Sequence, residues 1–302
     1  MRIKGMEQIG DVINEMEWLE PVEKSLDSLA EATLNQKSDA MQQVRNFLHG
    51  TWLGHPLHPV ITDVPLGAWT TAAVLDLYEF ASGDEKYSRG ADMAVGIGLI
   101  GAAGAAIAGL NDWQFTNDKP KRVGAMHALF NLSATGFYVA SWLQRRRGNR
   151  GGGISTGLIG FALSMAGAWL GGNLVYQEKI GVNHAPEELP GKFIAVMPLE
   201  ELPQEKLCRA RAGDIDLVLF RRSTRVYALA EKCAHLGGPL AEGKTEGLSV
   251  RCPWHGSRFS LIDGRVLDGP AAYDQPCFTV RVRNGMIEVR GARAGANINN
   301  AS

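Results

Sequence analysis

Residues 233–257 read CAHLGGPLAEGKTEGLSVRCPWHGS, and they decide the architecture of the C-terminal third of the chain. Cys233-Ala234-His235 opens the stretch, and after sixteen intervening residues Cys252-Pro253-Trp254-His255 closes it. Each short loop offers one thiolate and one imidazole. A structural zinc finger groups its cysteines first and its histidines later, so the alternation fits zinc badly. A binuclear iron cluster suits it, because each loop must then reach both irons. Cys233 and Cys252 would bind one iron, and His235 and His255 the other.

Outward from the loops the signal is that of short β-strands. Ile215–Arg221, Arg225–Ala230, Phe278–Arg283 and Met286–Arg290 are rich in β-branched, aliphatic and aromatic residues. Asn284-Gly285 and Asp263-Gly264 are hairpin-turn dipeptides. A compact all-β domain over residues 192–291 is expected. Cys208 and Cys277 fall in the predicted strands and read as buried free thiols.

These loops, with Leu236-Gly237-Gly238 after the first, Gly256-Ser257 after the second and Gly269-Pro270-Ala271 downstream, resemble the Rieske [2Fe–2S] family. The resemblance covers about Lys192–Gly291. It implies a [2Fe–2S] cluster on Cys233, His235, Cys252 and His255, with Gly237, Gly238, Trp254, Ser257 and Pro270 packed around it. High-potential members, from the quinol-oxidising cytochrome complexes, carry one more cysteine in each loop and join the two as a disulfide. Gly238 and Trp254 occupy those places here, and Phe259 stands where those proteins have a tyrosine hydroxyl near the cluster sulfur. Fewer hydrogen bonds to sulfur stabilise the reduced cluster less, which implies a potential of about −150 to 0 mV. The loops are more similar to those of Rieske ferredoxins. A Rieske oxygenase chain also needs a large domain holding mononuclear iron on two histidines and a carboxylate. Only eleven residues follow Gly291, so hydroxylation by this chain alone is not expected.

Upstream the composition changes. Over all 302 residues, 31 Lys and Arg balance 32 Asp and Glu, which gives no support to nucleic-acid binding. Four cysteines make no disulfide scaffold, and no apolar run follows the N-terminus as in a cleaved secretory signal. Residues 1–50 form a polar, amphipathic helical segment with Ile9, Val12, Ile13 and Met16, then Val22, Leu26 and Leu29, at helical spacing. Pro21 marks the start of a second helix.

Four apolar stretches follow, at about Pro59–Phe80, Ala91–Leu110, Ala125–Leu143 and Ile154–Val175, each about the 20 residues that cross a bilayer. Gly101 with Ala105, and Gly167 with Gly171, allow close approach of helices within a membrane. The expected organisation is a four-helix transmembrane domain over 51–178, a linker over 179–191, the Rieske domain over 192–291 and a flexible tail over 292–302. No internal repeat with a period of 20–50 residues is visible.

His49-Gly50-Thr51-Trp52-Leu53-Gly54-His55-Pro56-Leu57-His58-Pro59, followed by Asp63-Val64-Pro65-Leu66-Gly67, resembles a bacterial four-helix membrane family of no assigned activity. His127 and Asn131 fit the same pattern, and the resemblance covers about residues 45–178. Alternating spans bring His55, His58, Asp112, His127, Asn173 and the linker to one membrane face. Ionisable residues in a membrane are costly and point to function. His55, His58, Asp63 and His127 are therefore candidates for a haem b or quinone site, with His58 and His127 as the axial pair. The other reading makes them helix-end caps.

The sequence thus predicts a membrane-anchored iron–sulfur protein that moves single electrons between a donor and a redox partner protein or quinone. The alternatives are a redox-sensing or interaction subunit of a membrane complex, or the electron-transfer subunit of a separate oxidoreductase. The expected location is a bacterial inner membrane, multi-pass. Basic residues divide evenly between the two sides of the spans, so they give no orientation. Cluster assembly in the cytoplasm favours a cytoplasmic Rieske domain.

Overall fold

The computed structural model describes residues 9–292, which divide into two units. Residues 9–41 with Leu57–Ile180 are helical, and Gln42–Pro56 with residues 181–292 are mainly β. The segment Gln42–Pro56, contiguous in sequence with the helices, packs in the β unit. The residues assigned to the tail from 293 onwards lie outside the described residues.

In the helical unit, α1 (Ile9–Asn14) and α2 (Glu20–Leu34) carry one apolar stripe each. Pro21 sits in the first turn of α2, where its missing N–H costs nothing. Ile13 and Leu19 are buried against Val123, Met126 and Leu170. Ion pairs join Asp27 to Lys121 at 2.9 Å and Glu23 to Arg122 at 3.0 Å. α3 (Asp39–His49) follows and passes into the β unit from Gln42 onwards.

Four long helices complete the unit: α4 (Leu57–Ser82), α5 (Ser88–Trp113), α6 (Asp118–Arg146) and α7 (Arg150–Tyr176). α4 pairs with α5 and α6 with α7, each hairpin packing more extensively within itself than against the other. Leu57–Ser82, Glu85–Trp113 and Arg150–Tyr176 are long and apolar enough to cross a membrane. α6 is as long but begins with Lys119, Lys121 and Arg122, ends with Arg145 and Arg146, and is not among them.

The two hairpins repeat one plan. His58, Trp69 and Asp76 on α4 correspond to His127, Tyr138 and Arg145 on α6, sixty-nine residues later in each case. Gly98, Ala105 and Gly109 on α5 correspond to Gly160, Gly167 and Gly171 on α7, sixty-two residues later. Corresponding residues meet or play the same part. Trp69 and Tyr138 stack at 4.0 Å with an interplanar angle of 13°. Each aromatic ring lies on the glycine of its own hairpin, Gly98 or Gly160, where a Cβ would collide with it.

Asp76 and Arg145 form a buried double hydrogen bond, which explains how an aspartate is tolerated in an apolar stretch. Asp92, Arg150 and Glu79 extend this pair into a network, with Arg145 at 2.9 Å from Asp92 and Arg150 at 2.8 Å from Glu79.

The β unit has three antiparallel sheets. β1 (Ile194–Pro198), β10 (Met286–Gly291) and β9 (Phe278–Arg283) form one, in that order. β2 (Leu207–Ala212), β3 (Ile215–Arg222) and β4 (Arg225–Ala230) form the second. β5 (Lys244–Thr245), β6 (Ser249–Arg251), β7 (Arg258–Ser260) and β8 (Val266–Asp268) form the third. Asn284 and Gly285, both at positive φ, close the β9–β10 hairpin as a two-residue turn requires. Two apolar cores result. Leu217, Leu219, Phe278, Ile287 and Val289 fill one, and Val218, Phe220, Leu229, Val250, Phe259 and Cys277 fill the other. Cys277 is buried and free as expected, whereas Cys208, on a sheet-edge strand, is only half-buried.

Candidate metal centre

Cys233–Gly238 joins β4 to the short turn before β5, and Cys252–Ser257 joins β6 to β7. The two loops have the same backbone. The Cys233 N–H bonds the Gly238 carbonyl at 2.9 Å and the Gly237 N–H returns to the Cys233 carbonyl at 2.9 Å. In the second loop the Cys252 N–H bonds the Ser257 carbonyl at 2.8 Å, and the Gly256 N–H bonds the Cys252 carbonyl at 3.2 Å. Gly237 and Gly256 both have φ near +80°, a conformation costly for other residues. Two equal turns thus face one another, each with a cysteine at its start and a histidine near its tip.

The cysteine thiols are buried and lie within hydrogen-bonding reach of each other. Each thiol also accepts backbone N–H groups from its own loop, His235 and Leu236 for Cys233, Trp254 and His255 for Cys252. The Cys233 hydrogen bond brings the Cys252 thiol down to about 7, and the same contact, with burial, raises Cys233. Two buried thiols in contact, each supported by backbone N–H groups, are placed to act together on a cation as thiolates.

The rings of His235 and His255 stand 5.1 Å apart at 85°. Burial, with His255, His49 and His184 nearby, holds His235 well below the usual histidine range. Burial also lowers His255. Both rings are therefore neutral near pH 7, the form that ligates metal.

Among the described residues, no three His, Cys, Asp or Glu side chains gather as a single-ion site. Two thiols and two imidazoles standing as separate pairs fit a group with two metal atoms, and fit one tetrahedral zinc poorly. Gly238 makes room at the thiols, since a Cβ there would come within 2.8 Å of Cys252 Sγ and 3.1 Å of the Trp254 ring. Trp254 is 58% exposed and marks the open side of the site. Ser257 is fully buried, and its hydroxyl oxygen accepts the Ala271 N–H at 2.9 Å, so the Gly269-Pro270-Ala271 loop is tied to the second ligand loop.

Two contributors, Gln275 and Asn46, gave no motif in the sequence, and a third, His49, stood there only in the membrane-family motif. Gln275, fully buried, accepts the Ala234 N–H at 2.9 Å and donates to the Ala230 and Lys232 carbonyls, both at 2.8 Å, fixing the first loop. Asn46 accepts the Gly269 N–H at 3.0 Å and donates to Asp268 at 3.1 Å. His49 is buried against Gly269, where a Cβ would lie 2.5 Å from the imidazole Cδ2. Glycine at 269 would have been the one detectable signal, since it marks close approach without naming the partner.

The membrane-segment candidates separate. His55 is exposed, with its Nδ1 3.2 Å from the Pro56 carbonyl, and Asp63 is exposed on α4. In the helical unit, His58 and His127 come together with ring centres 6.1 Å apart. The imidazole of His58 bonds the Ala105 carbonyl at 2.9 Å.

Comparison with known proteins matches two stretches of the chain to two different families. Residues 54–184 match a predicted membrane protein family, DUF2231, and residues 192–279 match the Rieske [2Fe–2S] domain. Human apoptosis-inducing factor 3 is 29% identical over 99 residues, 33% of this chain and 16% of that protein, so the chain spans under a fifth of that relative. Ferredoxin CarAc of Metapseudomonas resinovorans is 30% identical over 83 residues, covering 28% of this chain and 78% of the ferredoxin. The ferredoxin component of the naphthalene 1,2-dioxygenase system of Pseudomonas aeruginosa is 24% identical over 98 residues, 32% of this chain and 94% of its own. A solved structure, the ferredoxin of carbazole 1,9a-dioxygenase from Nocardioides aromaticivorans IC177, has 23% identity and a TM-score of 0.32, over 32% of this chain and 96% of that chain. Through residues 192–279 the chain belongs to the Rieske [2Fe–2S] family, with a DUF2231 domain preceding it.

Proposed function

We propose that this is a membrane-anchored Rieske electron-transfer protein, with Cys233 and Cys252 on one iron and His235 and His255 on the other. The observation that carries the reading is the pair of matched loops, each presenting one thiol and one neutral imidazole. A [2Fe–2S] cluster supplies reversible one-electron chemistry. The chain's own part is to hold each thiolate with two backbone N–H groups, to bury one side of the cluster and to leave the Trp254 and His255 side open. Likeness to ferredoxin components of dioxygenase systems supports transfer to a partner over catalysis within the chain.

In this reading all four long helices cross a bacterial inner membrane. The three apolar helices support it directly. α6, whose charges lie at its ends, joins them through the hairpin it forms with α7. The Rieske domain faces the cytoplasm, where clusters are built. A reporter fused after Ser302 and active only in the periplasm overturns that orientation. On the membrane side the partner is a quinone or a haem b, and His58 and His127 support a site for it. His55 and Asp63 are exposed.

Membranes containing the full-length protein, freeze-quenched during respiratory turnover and read by EPR, test the function. A cluster signal that rises with substrate and falls when acceptor is added supports electron transfer. A cluster whose state never changes during turnover contradicts it and favours a sensing role.

A further inference from the structure

We propose that His58 and His127 are the two axial ligands of a b-type haem held between the α4–α5 and α6–α7 hairpins. The proposal deepens the electron-transfer reading, on which its biological sense rests, by naming a second redox group.

The first observation is the tautomer. His58 Nδ1 lies 2.9 Å from the Ala105 carbonyl and His127 Nδ1 lies 2.8 Å from the Gly167 carbonyl. A carbonyl oxygen only accepts, so each Nδ1 carries the proton and each Nε2 presents a lone pair. Metal-ligating histidines are held in this way by a backbone carbonyl or carboxylate on the far nitrogen. The same tautomer counts against a quinone held by hydrogen bonds, because neither Nε2 has a proton to give to a quinone oxygen. Asn131 donates to the His127 carbonyl at 2.8 Å, and its amide nitrogen is also within hydrogen-bonding distance of both His127 ring nitrogens, at 3.3 and 3.4 Å, so this side chain has to turn away for Nε2 to reach a metal.

The second observation is the spacing. Two imidazoles on opposite sides of one metal put their ring centres roughly 6.3 Å apart, and two on adjacent tetrahedral positions roughly 5.1 Å, for metal–nitrogen bonds of about 2.0–2.1 Å. His58 and His127 stand at 6.1 Å, whereas His235 and His255 stand at 5.1 Å. The pair in the helices therefore has the opposite-side spacing, and the pair in the Rieske domain has the spacing of two ligands on one tetrahedral iron.

The third observation concerns donor number. No third His, Cys, Asp or Glu joins the pair among the described residues. A bare first-row ion asks for three or four protein donors. Haem brings four equatorial nitrogens of its own and asks the protein only for axial ligands. All four cysteines of the chain lie beyond residue 200, so a covalent c-type attachment in the helices is excluded.

The fourth is the repeat. One histidine comes from each hairpin at the same position, and each ring lies on a glycine of its own hairpin. A Cβ at Gly109 would be 2.9 Å from His58 Cε1, and one at Gly171 would be 3.1 Å from His127 Cε1. The chain gives up two helix-favouring side chains to seat these two rings, which simple helix-end caps do not require.

The test is full-length protein purified in detergent after expression with ample haem supply. The expected result is one b-type haem per chain by pyridine haemochrome, with the sharp reduced bands of a six-coordinate low-spin iron. Because the rings cross at 84°, the oxidised haem should give a strongly anisotropic low-spin EPR signal with one dominant low-field feature. That readout needs no variant and so does not depend on a mutant folding. His58→Ala and His127→Ala should each abolish the six-coordinate spectrum and leave the Rieske EPR signal, while His55→Ala keeps both signals. Absence of haem in protein that carries its cluster, or haem retained as six-coordinate in both alanine variants, overturns the proposal and leaves the electron-transfer reading standing. A bound quinone in place of haem overturns it equally. Haem with its predicted spectrum in a protein devoid of cluster would instead sustain this proposal and break the Rieske assignment.

Discussion

Two pairs of histidines, one in each unit, cross at almost the same angle, 85° for His235 with His255 and 84° for His58 with His127. They differ in everything around them. The first pair is presented by tight loops, beside two thiols, within a domain whose motif spacing announces a cluster. The second is presented by helices, has no thiol, and has each ring fixed by a carbonyl. Chemistry is legible in the first setting and hidden in the second. Ligand loops compress a site into a few contiguous residues, whereas a helical bundle spreads it over positions sixty-nine residues apart.

The comparison breaks most visibly if one pair is removed. Cys252→Ser is expected to abolish the cluster, taking essentially all iron and acid-labile sulfide with it, while the helical unit keeps its circular dichroism. Loss of both would mean that the two units do not fold separately.

Next in size is the buried ion pair of the helices. Arg145→Met leaves Asp76 buried with its bidentate partner gone, at a cost of about 3–5 kcal/mol. Asp76→Leu with Arg145→Leu together should recover most of that loss in thermal unfolding in detergent. If the single and double variants unfold alike, the network contributes specificity of pairing and not stability.

The repeat that this pair belongs to explains what the sequence could not display. Trp69 answers Tyr138, and Asp76 answers Arg145, so the corresponding residues share burial and position but not identity. The first-helix and second-helix offsets also differ, so no single period aligns both. By contrast, β3, β4, β9 and β10 were readable within a residue because β-branched runs and the Asn284-Gly285 turn are local signals. β5 to β8 have two or three residues each and are held by pairing with one another, not by propensity. Gln275 and Asn46 were illegible for the same reason, since a buried amide that satisfies distant backbone has no pattern of its own.

Gln275→Ala sharpens the cluster side. It removes three hydrogen bonds and leaves the Ala234 N–H and two carbonyls buried, a loss on the order of 3 kcal/mol. The β unit should melt earlier and lose cluster faster on dilution, with the haem assay unmoved. Unchanged cluster retention would show that the loop is held by its own turn geometry.

The smallest expected effect is electronic. With Phe259 fully buried and no disulfide in the loops, the cluster should titrate at about −150 to 0 mV. Phe259→Tyr adds a hydroxyl and should move the potential upward without altering iron content. A wild-type value above about +200 mV would place the protein among quinol-oxidising relatives despite its loops.

The most direct measurement is metal and sulfide analysis of the purified full-length protein, combined with EPR after dithionite reduction. The account predicts two irons and two acid-labile sulfides per chain and a Rieske-type signal of mixed histidine and cysteine ligation, abolished in His255→Ala. One zinc per chain, no sulfide and no signal on reduction would contradict it.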